Sequence, residues 1–259
     1  MAATTEAGPR AKESAARRIG SWARELLIVV GGALLVSILL RAFVGQMFII
    51  PSQSMENTLL VGDRVVVQKI TGFDRGDVVV FADPGRWLSG GESAGRGGVD
   101  RFLEFVGVPT ANGAGHLIKR VIGLPGDRVQ CCDAAGRITV NGQALNEGGY
   151  LYHDPYGDAV VPSEVRFEVV VPKDRIFVMG DRRDLSADSR CHLQDISTSQ
   201  PKGQNAFVPT DLVVGPAVAI SWPFDRLERL RRPATFAEVP PPSSPAPDRA
   251  VIKPAGVSC

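Results

Sequence analysis

The stretch LIKRVIGLPGDRVQCC, residues 117–132, holds the fold in miniature. Two runs rich in Val and Ile, LIKRVIGL (117–124) and DRVQCC (127–132), are separated by Pro125-Gly126, a turn signal. Similar short runs recur on both sides. Upstream are DRVVVQKI (63–70) and DVVVFA (77–82); downstream are RITVNG (137–142), EVRFEVVV (164–171), RIFVMG (175–180) and LVVGPAVAISW (212–222). Asn-Gly and Asp-Arg-Gly-Asp punctuate them. In EVRFEVVV, Val165, Phe167 and Val169 alternate with Arg166 and Glu168, the pattern of a strand with one wet face. No internal repeat is evident. The expectation is a mainly β domain over residues 51–232.

Working outward, the N-terminal side changes character. Residues 1–25 are polar, with Arg10, Lys12, Arg17, Arg18 and Arg24 against Glu6, Glu13 and Glu25. LLIVVGGALLVSILL (26–40) then runs fifteen residues without a charge. A helix with no polar face is buried all round. Fifteen residues is short of the ~20 that span a bilayer, but the run continues to Ile50, broken by Arg41 and Gln46, and Arg41 can snorkel. A cleaved signal peptide has the same layout, yet RAFVGQMF offers no small-x-small cleavage site. A buried core helix is the blander alternative. The reading preferred is a single transmembrane anchor with its juxtamembrane segment over 26–50. The basic excess before it places residues 1–25 in the cytoplasm and the rest outside. Two further segments depart from a sheet. Residues 85–115 hold nine Gly around DRFLEFVGV and read as a surface insertion; residues 233–259 hold seven Pro and read as an unstructured tail.

Composition removes several classes of function. Over 259 residues the net charge is +1, without the basic excess of a nucleic-acid binder. Four Cys exclude a disulfide-dense scaffold. Three scattered His and no CxxC pair give no zinc site, and no GxxxxGK[ST] pattern supports phosphate binding. His116, His153 and His192 lie in no GxSxG elbow, so a Ser–His–Asp triad has little support.

Three segments could carry chemistry. IPSQSMENTLL places Ser52 and Ser54 two residues apart just after the apolar run; taken singly, such serines are more often a polar turn. In LIKRVIGL, Lys119 shares a face with Leu117 and Val121, and Arg120 with Ile118 and Ile122, so alternation leaves open which basic residue is buried. A strand lysine is usually a solvated edge residue. A buried one loses pKa by desolvation. To act as a base its pKa must fall from ~10.4 to about 7–8, on the order of 4 kcal/mol of differential solvation. GDRRDLSADSR (180–190) packs six charges and two serines, the content of a charged surface loop or of a loop bracing an active site.

Taken together and in order, the apolar run, PSQSMENTL (51–59), GDRVVV (62–67), KRVIGLPGD (119–127) and GDRRDLSADSR resemble bacterial type I signal peptidases. The resemblance implies a largely antiparallel β catalytic domain held outside the membrane by its anchor, removing signal peptides from exported preproteins. It implies Ser54 as nucleophile and Lys119 as general base, with Ser52 helping the Ser54 N–H to form an oxyanion hole. It implies that Ser186 hydrogen-bonds the lysine, that Asp188 and Arg190 form a supporting pair, and that Asp181 pairs with Arg120. No metal or organic cofactor is implied. The implied partners are exported preproteins, the lipid bilayer and the secretion translocon, with no nucleic acid. The family usually has Pro where Asn57 stands, and Asn where Arg182 and Leu185 stand.

For the cysteines, a bond from Cys191 to Cys131 or Cys132 and free buried thiols are both open. Two other functions compete: a self-cleaving Ser/Lys peptidase of the phage-repressor type, and a non-catalytic anchored β module.

Overall fold

The computed structural model describes residues 22, 24–37, 45–85, 87–88, 115–196 and 201–253. Thirteen strands lie among them. The first seven are β1 (Gly45–Ile49), β2 (Arg64–Gln68), β3 (Val78–Ala82), β4 (His116–Gly123), β5 (Arg128–Cys131), β6 (Ile138–Val140) and β7 (Gln143–Ala144). The remainder are β8 (Phe167–Val170), β9 (Arg175–Met179), β10 (Val208–Pro209), β11 (Val213–Trp222), β12 (Glu228–Arg229) and β13 (Val251–Lys253). They form two sheets. The first has the order β1-β2-β11-β3-β4-β9-β10, with β12 added on β11; the second has the order β13-β8-β5-β6-β7. Every pair between these strands is antiparallel.

The opening stretch joins the sheets. β4 lies inside the first, between β3 and β9, and is buried from Ile118 to Gly123. Covering on both faces is what its two apolar faces require. Pro125 and Gly126 then turn the chain: the Asp127 N–H donates to Leu124 O at 2.9 Å, and Gly126 has φ +90°. A Pro-Gly pair fits because Pro presets the first central φ and Gly accepts the positive one. The chain leaves this turn as β5 of the second sheet. Val165, Phe167 and Val169 are buried while Arg166 is exposed, so that segment keeps its wet face.

Residues 24–37 form an α-helix whose side chains are exposed around its whole circumference, Leu26, Leu27, Ile28 and Val29 among them. No helix among the described residues is long and apolar enough to cross a membrane. The expected anchor segment 26–50 is corrected at its distal end. Residues 45–49 are β1, paired with β2 from Gly45↔Gln68 to Ile49↔Arg64, so the sheet begins before residue 51. The physical reason is that GQMFI ends in the aromatic and β-branched pair Phe48-Ile49, side chains that suit a strand. Most of residues 1–25, and residues 89–114 of the Gly-rich segment, lie outside the described residues.

The Pro-rich segment is also corrected. Residues 233–253 are ordered: Phe236 and Val239 are buried, and β13 pairs with β8 from Val251↔Val170 to Lys253↔Glu168. The prolines serve a strap. Pro240 O accepts from Asn141 Nδ2 at 2.8 Å, Pro247 O accepts from the Lys173 N–H at 2.8 Å, and Arg232 ties the start of the strap to Asp77 at 2.9 Å. A chain with preset φ loses less entropy when laid down, and Phe236 supplies the core contact that composition alone hides. Residues 254–259 lie outside the described residues.

The cysteine expectations change as well. Cys131 is bonded to its neighbour Cys132, so neither reaches Cys191, and no described cysteine is a free thiol.

Candidate active site

The Ser54 segment is a loop pinned at both ends. The Ile50 N–H donates to Asp63 O and the Gly62 N–H to Ile50 O, each at 2.9 Å. Between them Gln53–Met55 make one 3₁₀ turn. Met55 and Leu59 are fully buried, and these two plugs fix the turn that presents Ser54. Asn57 follows with φ +83°, and its Nδ2 donates to Leu151 O at 3.0 Å. Proline, held near φ −65°, cannot adopt this conformation, whereas Asn tolerates it. The departure at Asn57 therefore does not loosen the turn; its side chain ties it down.

Lys119 reaches this turn from β4. Its Nζ donates to Ser54 Oγ at 2.6 Å and to Ile118 O at 3.1 Å. Lys119 is 4 % exposed and Ser54 6 %. Burial pulls the Lys119 pKa down to about 8, while the Asp188 and Asp181 carboxylates hold it up and Arg190 lowers it. Ser52 is exposed, with its Oγ 3.3 Å from Ser54 Oγ.

The loop after β9 closes the site. Register explains its place: β9 pairs with β4 at Arg120↔Met179, so residues 180–190 emerge beside Lys119. Gly180 threads between Ser54 and Ser186. A Cβ there would lie 2.2 Å from Ser186 Oγ and 2.5 Å from Ser54 O, so only glycine fits. The Arg182 N–H donates to Ser54 O at 3.1 Å. Asp188 accepts from Arg190 Nε at 2.9 Å and Nη2 at 2.8 Å, and from the Gly180 N–H at 3.0 Å. Burial pushes the Asp188 carboxyl up, but Arg190 and these hydrogen bonds leave it below its ordinary value. The buried carboxylate is thus ionised beside Lys119.

Arg120 faces the other way. It meets Asp181 through Nε at 2.8 Å and Nη2 at 2.5 Å, and donates to Gly76 O at 2.7 Å. Thr58 Oγ1 donates to the same carboxylate at 2.5 Å. Burial lowers the Arg120 pKa, and Asp181 more than restores it. A cavity of about 780 Å³ opens on this side, lined by Asn57, Thr58 and Arg120 and roofed by residues 228–238; it contains neither Ser54 nor Lys119.

One expected contact is corrected. Ser186 is buried beside the site, where its hydroxyl helps hold the Asp188 carboxyl down and does not bond Lys119. The lysine's bonds go to Ser54 and Ile118 instead. Of the two departures in the loop, Arg182 pairs with Glu56 and lies 4.2 Å over the Tyr152 ring, whereas Leu185 is exposed. Sequence reasoning missed Thr58, Glu56 and Gly180. A glycine opening a charged loop was the one available signal; the partners of Thr58 and Glu56 lie more than 120 residues away. No group of three or more His, Cys, Asp or Glu among the described residues could hold a metal.

Comparison with known proteins agrees with this architecture. Residues 22–222 match the family described as signal peptidase, peptidase S26. Signal peptidase I of Mycobacterium tuberculosis is 36% identical over 223 residues, covering 78% of this chain and 74% of that protein. A probable signal peptidase I of Mycobacterium leprae is 35% identical over 243 residues, covering 81% and 79%. Signal peptidase I of Leptolyngbya laminosa is 33% identical over 214 residues, covering 80% and 83%. The chain is a peptidase, a hydrolase of peptide bonds built on antiparallel β-sheets. It belongs to the signal peptidase family.

Proposed function

We propose that this peptidase is a membrane-bound Ser/Lys endopeptidase that removes signal peptides from exported preproteins. The observation that carries the reading is the 2.6 Å contact between Lys119 Nζ and Ser54 Oγ inside a dry site. A serine hydroxyl is a weak nucleophile without a base. Neutral Lys119 takes the Ser54 proton as Oγ attacks the scissile carbonyl. Ser52 Oγ and the Ser54 N–H receive the developing oxyanion, a donor of this kind being worth ~3–4 kcal/mol. The Lys119 ammonium then returns its proton to the leaving amine. A water deprotonated by the same amine releases the acyl group. Asp188 and Asp181 keep the pKa from falling so far that the amine cannot hold a proton in transit.

The helix over 24–37 supports membrane attachment: an apolar surface with no polar face needs an apolar surrounding. An enzyme confined to the bilayer surface meets substrates whose signal segments lie in the same layer, beside the translocon, at raised effective concentration.

The test uses the full chain in detergent with a preprotein substrate. Ser54→Ala and Lys119→Ala are each expected to lose at least ~10³-fold in turnover while remaining folded, as triad members do. A serine-directed acylating probe is expected to label Ser54 and not Ser52. Near-normal cleavage by either variant overturns the assignment at that residue.

A further inference from the structure

We propose that Glu147 and Tyr150, on the segment between β7 and β8, are positioning residues that hold the three active-site segments in register with one another. The proposal rests on the Ser54–Lys119 reading above. Residues 145–152 touch each of those segments. Leu151 O accepts from Asn57 Nδ2 at 3.0 Å, which fixes the turn after Ser54. The Tyr150 ring lies 4.4 Å beneath the Arg120 guanidinium, on the strand that carries Lys119. Glu147 receives Arg183 Nη2 at 2.5 Å, and the Tyr152 N–H donates to Asp181 O at 3.1 Å, both on the loop after β9.

The segment is rigid enough for the task. Leu145 and Leu151 are buried in the core of the second sheet, and the N–H groups of Tyr150 and Leu151 both donate to Glu147 O at 3.0 Å. Tyr150 OH donates to Glu147 Oε1 at 2.6 Å. Burial and the Glu147 charge push the Tyr150 hydroxyl up, so it stays protonated and keeps donating.

Arg183 transmits this order inward. Its Nε donates to Gly180 O at 2.9 Å, and its own carbonyl accepts from Arg190 Nη2 at 2.8 Å. Fixing Arg183 therefore fixes the Gly180 peptide and Arg190, and with them Asp188, whose charge acts on Lys119. Glu147 and Arg183 are each about 2 % exposed at the side chain. Such a buried pair adds little stability over an apolar filling of the same volume. What it supplies is direction, since the planar guanidinium fork is held by a carboxylate on one edge and a peptide carbonyl on the other.

The test compares Glu147→Gln, Tyr150→Phe and Tyr150→Leu with the full-length parent in detergent, on one preprotein substrate across pH. Glu147→Gln keeps the shape and removes the charge. It is expected to lower kcat at least tenfold with KM within twofold, and to move the acid limb of kcat below its parental position, because Arg183 is left as an uncompensated cation. Tyr150→Leu, which loses the ring under Arg120, is expected to lose more kcat than Tyr150→Phe, which keeps it. Asn146→Ala, on the cavity side of the segment, is expected to match the parent. If Glu147→Gln does not fold, Tyr150→Phe frees one Glu147 oxygen without changing packing and leaves the Glu147–Arg183 charge pair in place, so it is expected to lower kcat with KM and the acid limb near their parental positions. Folded Glu147→Gln with parental kcat and acid limb, or folded Tyr150→Phe with parental kcat, overturns the proposal. An active Ser54→Ala overturns instead the reading on which it rests.

Discussion

Lys119 and Arg120 sit side by side on β4 and are both out of water, yet they serve opposite faces of the strand. Lys119 meets Ser54 at 2.6 Å, and Arg120 meets Asp181 at 2.5 Å. Side chains on a strand alternate by geometry. The pair therefore separates two electrostatic tasks across a single peptide bond: one cation neutralised by a carboxylate, the other deprived of water.

The pH dependence of cleavage follows from the second task. With the Lys119 pKa near 8, about a tenth of the amine is neutral at pH 7. Turnover is expected to rise nearly tenfold per unit below pH 8 and to level off above it. A pH–rate profile checks this, and a flat profile from pH 6 to 9 contradicts the base.

Stability should run against activity at this residue. The folded pKa of Lys119 lies below the unfolded value of 10.5, so folding with a charged amine is penalised below pH 8, and the penalty is relieved as pH rises from about 8 to 10.5. Lys119→Met is expected to be inactive yet more stable at pH 7, by on the order of 3 kcal/mol. Denaturant titrations at pH 7 and pH 10 should show the advantage shrinking at the higher value.

Gly180→Ala tests the close approach of the loop to Ser54. The added methyl meets Ser186 Oγ at 2.2 Å and Ser54 O at 2.5 Å. A forced shift of this size costs about 1–3 kcal/mol and displaces Ser54. Cleavage is expected to fall more than 100-fold while thermal unfolding remains cooperative, a combination visible by pairing kinetics with calorimetry.

Phe236→Ala probes the strap. Phe236 is buried 6.0 Å from the Tyr150 ring, centroid to centroid. Its truncation is expected to cost ~3–5 kcal/mol. Chemical denaturation of the variant against the parent measures it, and an unchanged midpoint would mean that the strap is not part of the core.

Much of this was legible in the residues. Alternating Val and Ile runs with Pro-Gly and Asn-Gly turns gave the strands because period and punctuation are local. Ser54 and Lys119 stood out as candidates in their own segments, but their pairing was reached only through a resemblance, since nothing local to either shows a partner 65 residues away. Whether Lys119 or Arg120 was buried stayed open because both faces of the run are apolar, and the answer is both. Asn57 is intelligible only once its φ is known. The strap was misread because proline content measures the cost of ordering a chain and says nothing of a Phe236 that repays it. Glu147 sits in an unremarkable stretch, LNEGGY, whose importance lies wholly in what other segments bring to it.

The second sheet takes its outermost strand, β13, from the last described residues of the chain. During synthesis, β8 already has β5 on one side but waits about eighty residues for its second neighbour, and that edge is covered only when Val251–Lys253 arrive. A chain assembled in this order has made Ser54, Lys119 and the loop after β9 before the strand that covers β8, so the candidate site's side chains all precede that edge of the scaffold.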